Sequence, residues 1–338
     1  AFEKNKNESH EAAIKYILTA VFSSAVFMMG LSFVYGLCGT LYYSNIAIAL
    51  STVENPTMLI VALVFVMAGF GFKLSLVPFH LWTADVYQGA PTPVTSYLSV
   101  ISKGSAATAF LIVLWQTFGV AYSGAWEWIM FFLIIVTITV GNLFAIRQRN
   151  LKRFLAFSSV SQAGYIMLGV IGYNELSLTA MLFYILVYIF SNLAAFGVIG
   201  AIENATGKVD MTDYNGLYKT NPKLALVMML AMFSLAGIPP FAGFFSKFFI
   251  FTGALEEGSY SMYVLVLIAL INTIVSLYYY LLVVKAMFIS PEEPKIQTFR
   301  SACSERLGLT LTTAGIIALG LVSCVYDTII NIVNQSLI

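Results

Sequence analysis

The sequence has few charged residues, few cysteines and almost no long polar segment. Only 10% of its 338 residues are charged and 59% are hydrophobic, and the mean hydropathy is +0.87. Soluble proteins carry about 25% charged residues. A chain this poor in charge cannot cover itself with a polar surface, which predicts an integral membrane protein that crosses the bilayer several times. The net charge of +1 gives no reason to expect nucleic acid as a partner.

The motifs of nucleotide, metal and redox sites are also missing. Cys38, Cys303 and Cys324 are far apart, so we interpret them as small apolar residues. The sequence has neither GxGxxG nor GxxxxGK[ST], and His10–Glu11 begins an HExxH pattern that fails at Ile14. We therefore expect no cofactor in this chain, and an energy source that lies in partner subunits or in an ion gradient.

The first ten residues, AFEKNKNESH, are polar and contain no apolar core of a signal peptide. The sequence opens in this charged stretch without methionine, as a connector between two helices would. This pattern predicts a part of a longer protein or one piece of a divided one.

Nine segments are long and apolar enough to cross the membrane, because a helix needs about 20 apolar residues to cross about 30 Å of hydrocarbon. The runs are continuously apolar, which excludes the alternating pattern of a transmembrane barrel. The predicted fold class is therefore an all-α polytopic membrane protein with nine transmembrane helices. The segments are 11–37, 57–84, 93–121, 125–146, 151–172, 177–202, 222–254, 260–288 and 307–333.

The Lys and Arg residues agree with nine crossings and give them a direction. In this arrangement 13 of the 17 basic residues lie on the side of residue 1, and the connectors of the opposite side have none. The positive-inside rule then predicts that residue 1 is on the cytoplasmic or matrix side and the C-terminus on the other. The 13 residues are Lys4, Lys6, Arg147, Arg149, Lys152, Arg153, Lys208, Lys219, Lys223, Lys285, Lys295, Arg300 and Arg306.

The other four lysines, Lys15, Lys73, Lys103 and Lys247, lie inside predicted spans. A charge at the bilayer centre costs about 2.5–3.5 kcal/mol. The only acids of the spans considered as partners are Glu127 and Asp327, near the outer ends, so this chain supplies no permanent set of ion pairs. One interpretation is that the long side chains reach the interface, which suits Lys15 best. The other is a proton relay, because burial disfavours the charged form and lets a lysine release a proton near neutral pH.

Prolines interrupt two spans near their middle. Pro78 lies between Lys73 and His80, and Pro239–Pro240 precedes Lys247. Proline has no backbone donor, so in lipid only protein or water can satisfy the carbonyl it leaves free. Two broken helices in corresponding halves are typical of an inverted-repeat transporter with a site near the midplane. The alternatives are that the prolines only kink the helices for packing, and that His80 only satisfies a helix break.

Four long stretches of the sequence are distinctive. They are GFGFKLSLVPFHLWTADVYQGAPTPVTSYLSVISK (69–103), GNLFAIRQRNLKRFLAFSSVSQAGY (141–165), FSLAGIPPFAGFFSKFFIF (233–251) and SLYYYLLVVKAMF (276–288). These stretches resemble the antiporter-like membrane subunits of respiratory complex I, in the branch of bacterial subunit N and mitochondrial subunit 2. TSYLSVISK (95–103) favours this branch, since the related subunits L and M and the multisubunit cation antiporters typically have a histidine before that lysine.

The resemblance implies fourteen core helices in which two five-helix repeats are inverted, and the nine spans correspond to the sixth to fourteenth. It divides the chain into a polar opening segment (1–10), the rest of the first repeat (11–121), the second repeat (125–288) and a connector with the C-terminal helix (289–338). The family's proton-path residues correspond to Lys15, Lys73, Lys103, Lys247 and His80.

Two features depart from the family pattern. Gln162 stands where a histidine is common, and glutamine cannot titrate, so the route between Lys103 and Lys247 is expected to depend more on water. The family's glutamate on the fifth helix has no counterpart in this sequence. Lys15 is therefore expected to lack its counter-charge, unless a separate polypeptide that carries the first five helices supplies it.

The function that the resemblance implies is proton translocation, coupled to quinone reduction elsewhere in complex I, from Lys73 through Lys103 to Lys247. NADH, FMN, iron–sulfur clusters and quinone are then expected in partner subunits. The expected partners are the other membrane subunits, the peripheral redox arm and lipids, in a bacterial inner, mitochondrial inner or thylakoid membrane. Two alternatives stay open: a subunit of a gradient-driven multisubunit cation/proton antiporter, and a scaffold that bridges neighbouring subunits without pumping.

Overall fold

The computed structural model describes residues 6–51, 56–119, 123–289 and 293–336. Five short segments lie outside these ranges: 1–5, which contains Lys4, and 52–55, 120–122, 290–292 and 337–338. The described residues form helices α1 (Asn7–Cys38), α2 (Tyr43–Leu50), α3 (Pro56–Leu74), α4 (Thr83–Gly89), α5 (Thr92–Val113), α6 (Ser123–Ile146), α7 (Leu151–Ile171), α8 (Glu175–Thr206), α9 (Leu217–Thr220), α10 (Pro222–Ala236), α11 (Ala242–Leu255), α12 (Tyr260–Ile289), α13 (Cys303–Leu321) and α14 (Cys324–Ser336).

The predicted fold class is confirmed, and the count of spans differs slightly. Within the described ranges, 7 single helices are long and apolar enough to cross a membrane, or up to 8 if the bent pair α13–α14 is one span. The remaining predicted span, 222–254, consists of α10 and α11, which have 15 and 14 residues. Each is shorter than the length that crosses the hydrocarbon alone, so this span is broken, as its prolines predict.

The prediction of one continuous helix over 307–333 is wrong. Helix α13 ends at Leu321, Val322 is extended, and α14 leaves at an angle of 78°. The reason is aromatic packing: the ring of Tyr326 stacks on Phe249 of α11 at 4.0 Å and meets Phe183 of α8 at 5.4 Å. These contacts hold α14 against the bundle.

The break in the span 57–84 lies between α3 and α4, and protein groups satisfy it. The indole Nε1 of Trp82 donates to the carbonyl of Phe72 at 3.2 Å. The N–H of Val77 donates to Oγ1 of Thr137 on α6 at 3.0 Å. The backbone that leaves the helix therefore keeps partners without water, as a break inside a membrane requires.

Helix α7 lies at the centre of the bundle, and 94% of the residues in its most apolar stretch are buried. It packs against α4, α5, α6, α8 and α11. Glycines bring α6 and α7 close together: a Cβ on Gly141 would lie 2.7 Å from the Ser161 nitrogen, and one on Gly164 2.5 Å from Cγ1 of Ile138. Small residues allow such close helix packing in membranes, and here they surround α7 with protein.

The connectors meet in two groups, as the alternation of crossings predicts. On the basic side, the N–H of Leu151 donates to Val209 O at 2.9 Å, and Nζ of Lys208 to Lys295 O at 2.7 Å. On the other side, Nδ2 of Asn174 donates to Gly253 O at 3.0 Å. The connectors that carry the basic residues thus lie at one end of the bundle.

Candidate functional site

Lys103 is buried in the middle of the bundle, with 1% of its surface exposed. Its ammonium donates to Oγ of Ser159 at 2.8 Å and to the carbonyl of Ser159 at 3.1 Å. It also lies 5.9 Å from the centre of the Tyr87 ring. Within the described ranges no carboxylate pairs with it. Lys103 is therefore a buried cation held by neutral groups, as its place in an apolar segment predicts.

Lys247 is 5% exposed and fills the break between α10 and α11. In a continuous helix, Pro239 and Pro240 would face the carbonyls of Leu235 and Ala236, but proline has no N–H to donate. The ammonium of Lys247 donates to both carbonyls, at 3.0 and 2.9 Å. The lysine thus replaces the two donors that the prolines lack, which explains why it lies at this break.

Gly237 makes room for this arrangement. It ends α10 with φ +86°, in the left-handed region that favours glycine. A Cβ at this position would lie 2.9 Å from Cδ of Lys247. Any other residue would therefore strain the backbone and displace the lysine.

Gln162 on α7 connects this break to its neighbours. Its Nε2 donates to Tyr280 OH at 3.0 Å and to the carbonyl of Leu235 at 3.3 Å, and its Oε1 accepts from Tyr184 OH. The Tyr280 hydroxyl also bonds Oγ of Ser158 at 2.6 Å. Residues 158–162 form about one turn of α7, which we call the α7 stripe. It includes Ser159, which contacts Lys103, and Gln162, which shares the Leu235 carbonyl with Lys247.

A small cavity adjoins this stripe. It has a volume of about 10 Å³ and is lined by Lys247, Gln162, Tyr184, Tyr188 and Ser191, among others. A cavity needs about 10–15 Å³ to hold one water molecule, and the water needs polar partners. The lining supplies those partners, so the cavity suits a single water beside Lys247.

The residues of the α3–α4 break surround the other end of the site. His80 is 7% exposed and lies within electrostatic reach of Lys103. Four buried polar atoms of this segment have no hydrogen-bond partner among the described residues; they are Ser75 Oγ, His80 Nδ1, Thr83 Oγ1 and Tyr87 OH. Water can satisfy such buried polar groups, so this segment beside His80 is suited to hold water molecules.

Lys15 has two carboxylate partners, so the expectation that it lacks a counter-charge is wrong. Its ammonium lies 2.5 Å from Glu11, one turn away on α1, and 2.5 Å from Asp85 on α4. The second oxygen of Asp85 pairs with Arg153 of α7 at 2.6 Å. The break after α3 brings α4 against α1, and this packing places Asp85 between the two cations. Lys15 is also 41% exposed, not buried.

Lys73 is exposed, so the prediction that it is buried is wrong for this chain. Its ammonium lies 6.0 Å from the centre of the Phe72 ring. Helix α3 packs mainly against α1 and α5, and Lys73 lies on a face that these helices leave open. The described chain therefore brings Lys103, His80 and Lys247 into its interior, but not Lys73.

A second ion pair lies beside the Asp85 cluster. Lys152, predicted in a connector, is 3% exposed; its ammonium donates to Ala90 O at 2.9 Å and pairs with Glu203 of α8 at 3.2 Å. Thr92 donates a short hydrogen bond to the same carboxylate. Glu203 thus fixes the N-terminal ends of α5 and α7.

Sequence reasoning missed Asp85, Glu203 and Ser159. The first two follow the predicted spans 57–84 and 177–202 directly, so an acid at the end of a span is the available signal. Ser159 gave none, because buried serines are common. Among the described residues, no group of three or more His, Cys, Asp and Glu side chains could hold a metal ion.

Comparison with known proteins places this arrangement in a family context. A family model described as NADH:quinone oxidoreductase/Mrp antiporter, TM, matches residues 1–276. The NADH-quinone oxidoreductase subunit N of Phocaeicola vulgatus is 57% identical over 328 residues, which is 97% of this chain and 68% of that protein. The chain therefore spans about two thirds of the length of this relative.

Solved structures have the same fold. A chain of respiratory complex I from Thermus thermophilus with bound aureothin matches with a TM-score of 0.80 and 33% identity, over 94% of this chain and 68% of that one. A chain of the Mrp complex from Dietzia sp. matches with a TM-score of 0.83 and 25% identity, over 96% of this chain and 67% of that one.

Proposed function

Because this chain belongs to the NADH:quinone oxidoreductase/Mrp antiporter membrane family, we propose that it translocates protons as a membrane-arm subunit of NADH-quinone oxidoreductase. Quinone reduction elsewhere in the complex would drive proton transfer along the lysines of this chain. The observation that carries the proposal is a pair of buried lysines, Lys103 and Lys247, that have no carboxylate partner among the described residues. Hydroxyl and amide groups on one turn of the central helix lie near both.

The chemistry of the pair suits a relay. A buried ammonium without a counter-charge is costly, so a small change in the nearby charge shifts its proton occupancy. Lys103 contacts the Ser159 hydroxyl, which can both accept and donate. Between this contact and Lys247 lie the Ser158–Tyr280–Gln162 stripe and a cavity for one water. Gln162 cannot carry the proton, so its role is to hold Tyr280, Tyr184 and that water in position.

The entrance lies at the basic end of the bundle. The Lys15–Asp85–Arg153 cluster and the Lys152–Glu203 pair flank α4 and the start of α5 there. Lys103 is 11 residues further along α5, about 16 Å at 1.5 Å per residue. Unpartnered polar atoms between them, from Ser75 to Tyr87, offer sites for a water chain. Lys73 would belong to this path if a helix of another polypeptide packs on the face of α3 where Lys73 is exposed.

The redox reaction that drives proton transfer would take place in other subunits of the complex. NADH, FMN, iron–sulfur clusters and quinone would bind other subunits, since this sequence carries no motif for them. The partners would be the other membrane subunits of complex I and its peripheral arm. The basic end would face the cytoplasm or matrix, across a bacterial inner, mitochondrial inner or thylakoid membrane.

The test uses the purified complex reconstituted in vesicles, with proton uptake and NADH oxidation measured together. We expect Lys103→Ala and Lys247→Ala to lower the number of protons moved per NADH in an assembled complex, because each removes a group that carries the proton. Lys73→Ala is expected to act in the same direction. The matched control is Lys285→Ala, an exposed lysine of α12, which should leave the ratio unchanged.

Full pumping in assembled Lys103→Ala and Lys247→Ala complexes would rule out the relay and leave the scaffold function. A cation/proton antiporter remains a second candidate, because the Mrp complex chain matches with a TM-score of 0.83. It predicts proton movement driven by a cation gradient without NADH. The 57% identity to a subunit N, against 25% to the Mrp chain, favours the complex I function.

A further inference from the structure

A wide groove opens at the basic end of the bundle, away from the lysine pair. It has a volume of about 760 Å³ and lies between the start of α10, the residues before α13 and the outer face of α13. Asn221 fixes its wall: Oδ1 accepts from the N–H of Phe299 at 3.3 Å, and Nδ2 donates to Gln297 O at 3.1 Å. Thr298 adds a bond to the carbonyl of Thr220 at 3.1 Å. The groove is therefore a built feature of the fold.

Three basic residues, Lys223, Arg300 and Arg306, line one end of the groove. All three are exposed, and no ion pair within the described part of the chain involves them. The described lining residues include no acid. Glu305 is close in sequence, but its oxygens accept from the N–H of Ala302 and from Asn204, each at 3.0 Å.

Helix ends add to this positive field. Lys223 is in the first turn of α10 and Arg306 in the first turn of α13, where the helix dipole is already positive. A cation there opposes the dipole. Glu305 offsets part of this in the first turn of α13, but α10 has no acid in its first turn. The mouth of the groove is therefore complementary to an anionic group.

The other end of the groove is apolar. Val227 of α10 and Ala314 and Ile317 of α13 line it. From Arg306 to Ile317, α13 rises 11 residues, about 16 Å at 1.5 Å per residue. That depth is about half of a hydrocarbon core that is about 30 Å thick. A cationic mouth above an apolar channel one leaflet deep matches the shape of a phospholipid.

We propose that this groove binds an anionic phospholipid of the leaflet at the basic end. Its phosphate lies among Lys223, Arg300 and Arg306, and an acyl chain runs along Val227, Ala314 and Ile317. Basic pockets between transmembrane helices on this side are suited to anionic headgroups. The lipid would contact both α10 and α13 and so stabilise α10, the first half of the broken span, from the membrane side.

The test places a photo-crosslinking amino acid at Ala314 in the full-length protein within its purified complex. The complex is reconstituted in phosphatidylcholine nanodiscs with a minor fraction of phosphatidylglycerol of the same acyl chains, and adducts are identified by mass spectrometry. We expect the ratio of phosphatidylglycerol to phosphatidylcholine adducts to exceed the ratio of the two lipids in the nanodisc by about a hundredfold, because each basic residue near an anionic surface contributes roughly fivefold.

The variant K223Q/R300Q/R306Q is expected to lose this preference. The matched variant R147Q/R149Q/K285Q removes three exposed basic residues of the same side outside the groove and should keep it. Equal loss in both variants would show a general surface potential and overturn the proposal. If K223Q/R300Q/R306Q does not assemble, the ratio of phosphatidylglycerol to phosphatidylcholine adducts in the otherwise unchanged protein tests the proposal. A ratio equal to that of the two lipids in the nanodisc would overturn it.

Two further outcomes also overturn it. One is adducts at Ala314 that are only with protein, which would mean that a neighbouring subunit occupies the groove. The other is displacement of the lipid by glycerophosphoglycerol, which has the headgroup and no acyl chains, since this would show a site for free phosphate compounds. Retention of the lipid in its presence is the expected result.

Discussion

Asp85 is the residue on which the charges of the basic end converge. One oxygen pairs with Lys15 and the other with Arg153, so a single carboxylate joins α1, α4 and α7. It lies between the crossing helices α3 and α5. Burial raises the pKa of Asp85, but hydrogen bonds from Lys15 and Arg153 outweigh burial and hold that pKa below its ordinary value. Folding therefore favours the ionised form.

This depressed pKa gives a pH prediction for Asp85→Asn. The contribution of Asp85 to stability is fully present above its unfolded pKa of about 4 and is lost as the pH falls through the folded value. We expect the variant to have a lower Tm than the unchanged protein at pH 7, and the difference to shrink below pH 4. Thermal unfolding in detergent, followed by tryptophan fluorescence, measures both.

Glu256→Gln is the control for Asp85→Asn, because Glu256 is exposed and outside the ion pairs of the described residues. Its Tm should follow that of the unchanged protein at every pH. A Tm difference for Asp85→Asn that stays constant from pH 7 to well below pH 4 would show that the carboxylate charge is not what stabilises this cluster.

For single residues, the sequence predicts which lysines lie in apolar surroundings but not which groups they contact. Lys103 and Lys247 were found because a cation in an apolar run is costly, whatever surrounds it. Their partners were not, since serine hydroxyls and backbone carbonyls carry no sequence signal. Asp85 is 70 residues from Lys15, and no helical period connects two segments that meet only through a broken helix.

The element that most constrains the site is the α10–α11 break. The two half-helices of 15 and 14 residues are each about 21–23 Å long. They are too short to cross alone, so their junction lies inside the bilayer. Their approach is close, because a Cβ on Gly243 would lie 1.6 Å from the carbonyl oxygen of Ser234. The position of Lys247 is thus a consequence of helix ends that cannot move apart.

Gly237→Ala should show whether proton transfer depends on the position of the Lys247 side chain or only on the stability of the fold. The substitution forces a left-handed conformation on alanine, which costs about 1–2 kcal/mol, and its Cβ meets Lys247. Gly207→Ala is the matched control: Gly207 ends α8 with φ +72° and has nothing within 4 Å of a Cβ. We expect both variants to lower the Tm and only Gly237→Ala to lower the protons moved per NADH. Equal pumping in both would mean that the lysine tolerates displacement.

Sequence patterns predicted where the elements lie better than how they are directed. The proline breaks and the nine apolar segments were visible, because hydropathy and missing donors are local properties. The bend at Val322 was not, since both α13 and α14 contain apolar residues and only the stacking of Tyr326 on Phe249, across the bundle, sets the angle. The open face at Lys73 is likewise set by which helices pack around α3.

For the whole molecule, the two buried lysines lie at the two ends of one central helix stripe, so they should act in series. If every proton passes through both, removing the second lysine after the first has little further effect. We expect the Lys103→Ala/Lys247→Ala double variant to pump about as poorly as the poorer single variant, measured as protons per NADH in vesicles. Such non-additivity is typical of groups that act as a unit.

The comparison for the double variant is Lys103→Ala/Lys285→Ala, which should equal Lys103→Ala alone. If the losses from Lys103→Ala and Lys247→Ala instead add, the two lysines serve separate routes, and the stripe through Ser158, Tyr280 and Gln162 is structural.

The bonds of Lys247 have a consequence for how often the site can be used. A protonated lysine has three N–H donors, and two are taken by the carbonyls of Leu235 and Ala236. The neutral amine still has two N–H groups and gains one lone pair. Losing a proton therefore leaves both carbonyls with a donor, and the new acceptor is available to a water in the adjoining cavity. The neutral amine donates weaker hydrogen bonds than the ammonium, but neither carbonyl at the helix break loses its partner, so the local fold can persist while the proton is lost and regained.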